Sequence, residues 1–223
     1  MVRFIAKTTV GQKFWMSMTG LFLIIFLAVH LTANLMLVFD DTGELYNRTV
    51  HFMTTNPFIR IMEPILALGF IVHIILATVL TLRNQTMRPQ KYHMQKLSHT
   101  GSWASRNMYI LGATVLAFLV LHVINFWVVL RFGDPGSVVY DGVEMENAYK
   151  MVATLFAMPL YSVIYIIAII GLAYHISHGF WSAFQTIGWS NDIWRKRLTA
   201  VAYAYAILIA IGFSIIPVYF LVK

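Results

Sequence analysis

Long stretches of apolar residues, separated by short polar connections, dominate the chain. Five of them are long enough to cross about 30 Å of hydrocarbon as α-helices, and they cover residues 14–39, 58–82, 108–130, 155–184 and 198–221. A helix pairs its backbone groups within one segment, which is necessary because lipid offers them no other partner. The pattern therefore predicts an all-α integral membrane protein whose five transmembrane helices form one domain over residues 1–223.

The composition favours the same class. Hydrophobic residues make up 59% and charged residues 11% of the chain, and the mean hydropathy is +0.72, whereas soluble domains carry about 25% charged residues. The sequence contains no cysteine, which excludes disulfides, thiolate-held iron–sulfur clusters and the covalent attachment of c-type haem. Any haem must therefore be held non-covalently. We find no convincing sequence repeat.

The connections between the spans differ in charge. Basic residues precede the first span, lie between the second and third, and precede the fifth: Arg3, Lys7, Lys13; Arg83, Arg88, Lys91, Lys96, Arg106; Arg195, Lys196, Arg197. The other connections are rich in acidic residues. Because basic residues accumulate on the cytoplasmic side of membrane proteins, the N-terminus is predicted to be cytoplasmic and Lys223 to lie outside. Orientation and anionic lipid headgroups then explain the net charge of +7, and no nucleic-acid partner is expected.

Each of the first four spans carries a histidine that is a candidate ligand: His30, His73, His122 and His175. An ionisable residue in hydrocarbon is costly and indicates a function. With a helix rise of about 1.5 Å per residue, His30 and His122 fall in the outer half of the bilayer, and His73 and His175 in the cytoplasmic half. The depths predict two pairs, His30 with His122 and His73 with His175, each holding the iron of one haem b.

We expect the first four helices to form a bundle around the two haems and the fifth helix to be peripheral. Small residues near the histidines, Gly69, Gly171 and Gly179, would give the flat macrocycles room. With both axial positions filled by imidazole, the iron has no open site for oxygen or a substrate, so electron transfer is the expected role. The alternative is that these histidines form hydrogen bonds between helices or line a proton path.

The other histidines have simpler interpretations. Three lie in the connections and are interpreted as solvated side chains: His51, His93 and His99. His178 is a rival ligand because it lies three residues after His175. Three residues rotate a helix by about 300°, so both rings cannot face the same iron. We choose His175 because glycines flank it at one-turn spacing on both sides.

Several polar residues lie near the ends of the spans. Glu63, beside Arg60 and Pro64, is the one acidic residue near a span that is not plainly in a water-exposed connection. It is either an interfacial ion pair or helix-start charge, or a group that exchanges protons with a quinone beside the outer haem. At the cytoplasmic end, four residues are candidates for binding haem propionates or a second quinone head, or are simple interfacial anchors: Ser17, Trp103, Ser105 and Arg106.

Nearly the whole chain resembles a known family. The local marks are His30-Leu31-Thr32-Ala33-Asn34, the Ser105-Arg106 entry to the third span, and His175-Ile176-Ser177-His178-Gly179-Phe180-Trp181. Together with five spans and a ligand histidine on each of the first four, they resemble the single-chain, two-haem cytochrome b subunit of succinate dehydrogenase and fumarate reductase. That subunit is the type B membrane anchor of complex II.

The resemblance implies partners as well as cofactors. In such complexes a flavoprotein interconverts succinate and fumarate, an iron–sulfur subunit carries electrons to the membrane, and the cytochrome exchanges them with quinone through its haems. It implies that this chain is the membrane subunit of such an enzyme in the bacterial cytoplasmic membrane, with both partner subunits on the cytoplasmic side. We expect the basic residues from Arg83 to Arg106, with the N-terminal segment, to form much of the platform for the iron–sulfur subunit. Two haems stacked across the bilayer favour menaquinone. The direction of the reaction and any higher oligomer of the complex stay open.

Two other classes of protein compete with this interpretation. The membrane cytochrome of respiratory nitrate reductase also has five spans and two haems, but that family places its ligands in pairs on two helices. A haem-free, proton-coupled transporter could use buried histidines. In such a transporter we would expect more embedded acidic residues or broken helices.

Overall fold

The computed structural model describes residues 8–86, 103–189 and 191–223. Five helical spans in these ranges are long and apolar enough to cross a membrane: Thr9–Phe39, Pro57–Thr86, Met108–Phe132, Pro159–Thr186 and Asp192–Val222. The prediction of an all-α, multi-pass membrane protein is confirmed. The predictions for seven basic or histidine residues concern positions outside the described ranges: Arg3, Lys7, Arg88, Lys91, Lys96, His93 and His99.

We number the elements of the described ranges in chain order. The helices are α1 (Thr9–Phe39), α2 (Glu44–Thr55), α3 (Pro57–Thr86), α4 (Trp103–Arg106), α5 (Met108–His122), α6 (Val129–Phe132), α7 (Ala148–Phe156), α8 (Pro159–Thr186) and α9 (Asp192–Val222). A π-helix, Val123–Val128, joins α5 to α6 within the third span. Strands β1 (Ser137–Tyr140) and β2 (Val143–Glu146) pair as an antiparallel hairpin.

Caps and a proline set the helix ends. The Thr8 hydroxyl accepts a hydrogen bond from Gly11 N at 3.1 Å and caps the first span, which satisfies one of the N–H groups left free there. The Asn191 side chain accepts from two N–H groups in the same way at the start of α9. The fourth span begins at Pro159, later than predicted, because α7 ends at Phe156 and a proline then opens the new helix.

The first four spans form a bundle, and the fifth lies outside it. The first span packs against the second and the fourth, and the fourth packs against the third, while the second and third touch over only a short stretch. The fifth span packs along the fourth and the first. Tyr205 ties it to the first span because its hydroxyl donates to the Ile24 carbonyl at 2.5 Å.

The two ends of the bundle carry different charges. We call the end where the first, third and fifth spans begin the basic face; it carries Lys13, Arg83, Arg106, Arg195, Lys196 and Arg197. The opposite end, the hairpin face, consists of α2, the β-hairpin, α7 and the span ends beside them. It holds eight of the nine acidic residues of the sequence, Asp192 being the exception.

Asn47 holds the hairpin face together. It is 1% exposed, its Oδ1 accepts from Tyr149 N at 2.8 Å, and its Nδ2 donates to the Tyr140 hydroxyl at 3.3 Å. A buried amide with partners on both ends stabilises a fold, whereas an unpaired one costs about 1–3 kcal/mol. Asn47 therefore fixes α2 against both β1 and α7.

Gly43 and Gly142 of this face have left-handed backbones and give a stability prediction. Gly43 has φ +81° and Gly142 has φ +75°. A Cβ at Gly43 would lie 2.8 Å from Tyr149 Cβ, while one at Gly142 would meet no atom of the described residues within 4 Å. Gly142→Ala should cost about 1–2 kcal/mol from backbone strain alone. Gly43→Ala should cost about 1–3 kcal/mol more from overpacking. Thermal unfolding of both variants in detergent checks this, and equal losses of Tm would contradict it.

Candidate functional site

The four candidate histidines meet in two pairs between the first four spans. The ring centroids of His30 and His122 are 5.7 Å apart, with an angle of 84° between the ring planes. Those of His73 and His175 are 6.4 Å apart, at 68°. These are the two pairs that the depth estimate predicts from the sequence. Each pair joins helices that are diagonal partners in the bundle, first with third and second with fourth.

The bundle has two halves, the first with the second span and the third with the fourth, and both halves show the same spacings between a glycine and a histidine. Ten residues separate a glycine from the histidine in the first and third spans, and four in the second and fourth: Gly20–His30, Gly112–His122, Gly69–His73 and Gly171–His175. The pairing of rings follows this repeat, since each histidine faces its equivalent. The rings of His73 and His175 lie beside Gly20 and Gly112. Ten residues rise about 15 Å, so the pairs lie about 15 Å apart along the bundle.

Aromatic rings enclose the pair nearer the hairpin face. Phe26 stacks on His30 with centroids 5.2 Å apart, and Phe213 of the fifth span approaches it at 5.6 Å. Three rings surround His122 at 5.1 to 6.3 Å: Phe118, Phe126 and Tyr165. This pair therefore lies in an apolar, aromatic environment, and the fifth span contributes to it.

Glycines border the pair nearer the basic face. A Cβ at Gly20 would lie 3.5 Å from His73 Cε1, and one at Gly112 would lie 3.4 Å from His175 Cε1. The glycines expected to provide room have other contacts: Gly69 faces the Phe22 ring, Gly171 faces Thr114, and Gly179 faces Met108. Those three allow close helix packing, and the glycines beside the rings come from the neighbouring helices.

The ring nitrogens separate the four histidines into two kinds. His73 Nδ1 lies 3.3 Å from Thr19 Oγ1, and His30 Nδ1 lies 3.4 Å from Asn34 Nδ2. The Nδ1 atoms of His122 and His175 are buried and have no hydrogen-bond partner among the described residues, and the same is true of His178 Nδ1. A buried polar atom without a partner is costly.

The ring separations fit two imidazoles bound to one metal ion. With a metal–nitrogen bond of about 2.0 Å, and about 1.1 Å from nitrogen to ring centre, opposed rings have centroids about 6.2 Å apart. Edge-to-face packing gives similar distances, so the separations fit a shared ligand and simple ring packing alike. Two ligands suit a haem, whose macrocycle supplies the remaining nitrogens. The described ranges hold no group of three or more His, Cys, Asp or Glu residues that could ligate a bare metal ion.

The fourth span places His178 differently from His175. The His178 ring packs edge-to-face on Trp181, with centroids 5.1 Å apart, while the His175 ring faces His73. The two rings point in different directions, as the rotation of about 300° over three residues requires. His175 is therefore the residue of the fourth span that can share a ligand with His73.

Glu63 pairs with the third span near the hairpin face. Its carboxylate accepts a hydrogen bond from Arg131 at 2.5 Å and another from Trp127 Nε1, and both charged side chains are about one-third exposed. Arg60, its neighbour in sequence, donates instead to the Thr54 carbonyl at 2.9 Å. The ion-pair interpretation thus finds its partner in Arg131. This contact closes the bundle between the second and third spans, where the helices otherwise touch little.

The candidate residues at the basic face are spread over two helices. Ser17 is buried in α1 at 6% exposure. Trp103 packs on Tyr174 of the fourth span, with ring centroids 5.9 Å apart, and Ser105 and Arg106 are exposed beside it. Trp103 therefore fixes α4 to the fourth span, which agrees with an anchoring role.

Sequence reasoning missed several residues that contact the histidines: Thr19, Gly20, Asn34, Gly112 and Phe213. A shared spacing of glycine before histidine was the available signal for the two glycines. Asn34 follows His30 by one turn of the same helix and belongs to the His30–Asn34 mark. No sequence signal marked Thr19 and Phe213, because their contacts depend on how each helix is rotated. Among known proteins, no family model, curated protein or solved structure matches this chain.

Proposed function

We propose that the chain is a membrane cytochrome that holds two b-type haems, one between His30 and His122 and one between His73 and His175. The observation that carries the proposal is the pairing of four half-buried imidazoles at two levels, with centroids 5.7 and 6.4 Å apart. The matched depths of each pair, which follow from the helix rise, support it.

When bound, each haem would supply a one-electron redox centre held by the two histidines of its pair. Residues of the chain position the two haems and exclude water from them. The four histidines fix the two centres at levels about 15 Å apart along the bundle. The rings of Phe26, Phe118, Phe126 and Phe213 exclude water from the centre near the hairpin face. Ser17, Trp103 and Arg106 lie at the end where propionates would be held.

We further propose that this cytochrome is the membrane subunit of a succinate:quinone oxidoreductase, either a succinate dehydrogenase or a fumarate reductase. The resemblance over nearly the whole chain supports this, and so does the distribution of ligands over four spans. The basic face would be cytoplasmic and bind the iron–sulfur subunit, which in turn binds the flavoprotein. Electrons would pass to membrane quinone, with menaquinone favoured, in the bacterial cytoplasmic membrane.

The hairpin face offers a place for the quinone. Glu63 there accepts hydrogen bonds from Trp127 and Arg131, which leaves its carboxylate partly exposed at about 32%. Trp127 lies five residues after His122 in sequence, so the carboxylate is near the level of the outer haem. We propose that this partly exposed carboxylate exchanges protons with the quinone, against the alternative that Glu63 is a structural ion pair with Arg131.

Alanine variants of the histidines test the haem assignment. Changing either member of one pair should remove one haem and leave the other, because each iron loses an axial ligand. His178→Ala is the matched control and should retain both haems. Haem content per purified chain, measured as the pyridine haemochrome, gives the result. Loss of a haem in His178→Ala, together with two haems in His175→Ala, would move the ligand to His178.

Glu63→Gln tests the quinone assignment. It removes the proton-exchanging group, so succinate–quinone turnover should fall about 100-fold or more, while both haems and electron transfer from succinate to a soluble dye persist. Glu44→Gln is the control, since Glu44 also pairs with an arginine on the hairpin face, Arg48 at 2.7 Å. Full quinone turnover in Glu63→Gln would leave Glu63 a structural ion pair with Arg131.

A further inference from the structure

Thr19 lies against the histidine of the second span. Its hydroxyl oxygen is 2.9 Å from the Trp15 carbonyl and 3.0 Å from the Met16 carbonyl, both in its own helix. It is also 3.3 Å from His73 Nδ1. A hydroxyl has a single proton and two lone pairs, and the backbone carbonyls can only accept. When the hydroxyl gives its proton to a carbonyl, a lone pair remains to accept from His73 Nδ1, whose role as donor or acceptor depends on the tautomer of the ring.

That arrangement fixes the tautomer of the imidazole. With the Thr19 oxygen as acceptor, His73 Nδ1 carries the proton and donates it, so the lone pair of the neutral ring is on Nε2. A ligating histidine commonly donates its other ring N–H in this way, which orients the ring and raises its basicity as a ligand. Gly20, the next residue, lies beside the same ring. Two consecutive residues of α1 therefore contact His73: Gly20 packs against the ring, and Thr19 accepts its proton.

The second half of the bundle lacks this acceptor. Gly112 lies beside His175 as Gly20 lies beside His73, but the residue before Gly112 is Leu111, not a threonine. Accordingly, His175 Nδ1 finds no hydrogen-bond partner in the part of the chain that the structure describes. The two halves therefore share the glycine beside the ring but differ at the residue before it, where Thr19 can accept a hydrogen bond and Leu111 cannot.

We propose that Thr19 is a positioning residue that makes His73 the stronger electron donor of the two ligands of the inner haem and thereby lowers the potential of that haem. The proposal rests on the proposed haem at His73 and His175. A more basic imidazole stabilises ferric over ferrous iron, so the hydroxyl favours the oxidised state. The haem at His30 and His122, about 15 Å away along the bundle, is not affected.

Redox titration of three variants, two at Thr19 and one at the equivalent residue Leu111, tests whether the hydroxyl lowers the potential of the inner haem. Thr19→Val keeps the shape and removes the acceptor, and should weaken the preference for ferric iron about threefold to tenfold, which raises the potential of the inner haem by about 30–60 mV. Thr19→Ser should restore the original value. Leu111→Thr, which adds a hydroxyl beside His175, should lower the potential. The inner haem is the component that His73→Ala removes.

Thr114→Val is the matched control, because within the described residues the Thr114 hydroxyl bonds only to the Ile110 carbonyl of its own helix, at 3.1 Å. It should leave both potentials unchanged. Loss of the inner haem alone in Thr19→Val, with retention in Thr19→Ser, also supports the proposal. Two haems with unchanged potentials in both Thr19→Val and Leu111→Thr overturn the role of Thr19 and leave the proposed cytochrome intact. A wild-type chain without haem overturns both proposals.

Discussion

The cost of burying imidazole nitrogens in an apolar bundle is the constraint on which the site depends. Hydrocarbon offers a ring nitrogen no partner, so the protein must supply one. Thr19 and Asn34 lie within hydrogen-bonding distance of Nδ1 in His73 and His30, but the equivalent atoms in His122 and His175 have none among the residues described. We propose that iron between each pair of rings binds one nitrogen of each histidine, which leaves the other ring nitrogen to be paired by the protein.

The residues packed around the histidine rings differ between the two levels of the bundle. Glycines of the first and third spans let the rings of His73 and His175 approach, while phenylalanines fill the space around His30 and His122. The second and third spans touch little, and the ion pair of Glu63 with Arg131 joins them at the hairpin face. We propose that a flat cofactor lies between the diagonal helices of each pair, in a bundle that is loosely packed between the second and third spans.

Hydropathy alone predicted the five spans, and the helix rise predicted which histidines meet, because depth in a membrane helix follows directly from sequence position. Rotation does not. The contacts of Thr19 with His73 and of Phe213 with His30 depend on how neighbouring helices turn, and the π-helix after His122 changes the rotation that places Trp127 beside Glu63. The hairpin was detectable from Asp141-Gly142, a pair typical of two-residue turns, but hydropathy does not register it.

The absorption spectrum of the purified wild-type chain, oxidised and then reduced with dithionite, tests the central claim most directly. Our account predicts the bands of low-spin, six-coordinate haem b, with two haems per chain by the haemochrome and two one-electron components in a redox titration. A chain that retains its helical circular dichroism but contains no haem, or only one, would contradict the assignment of the two histidine pairs.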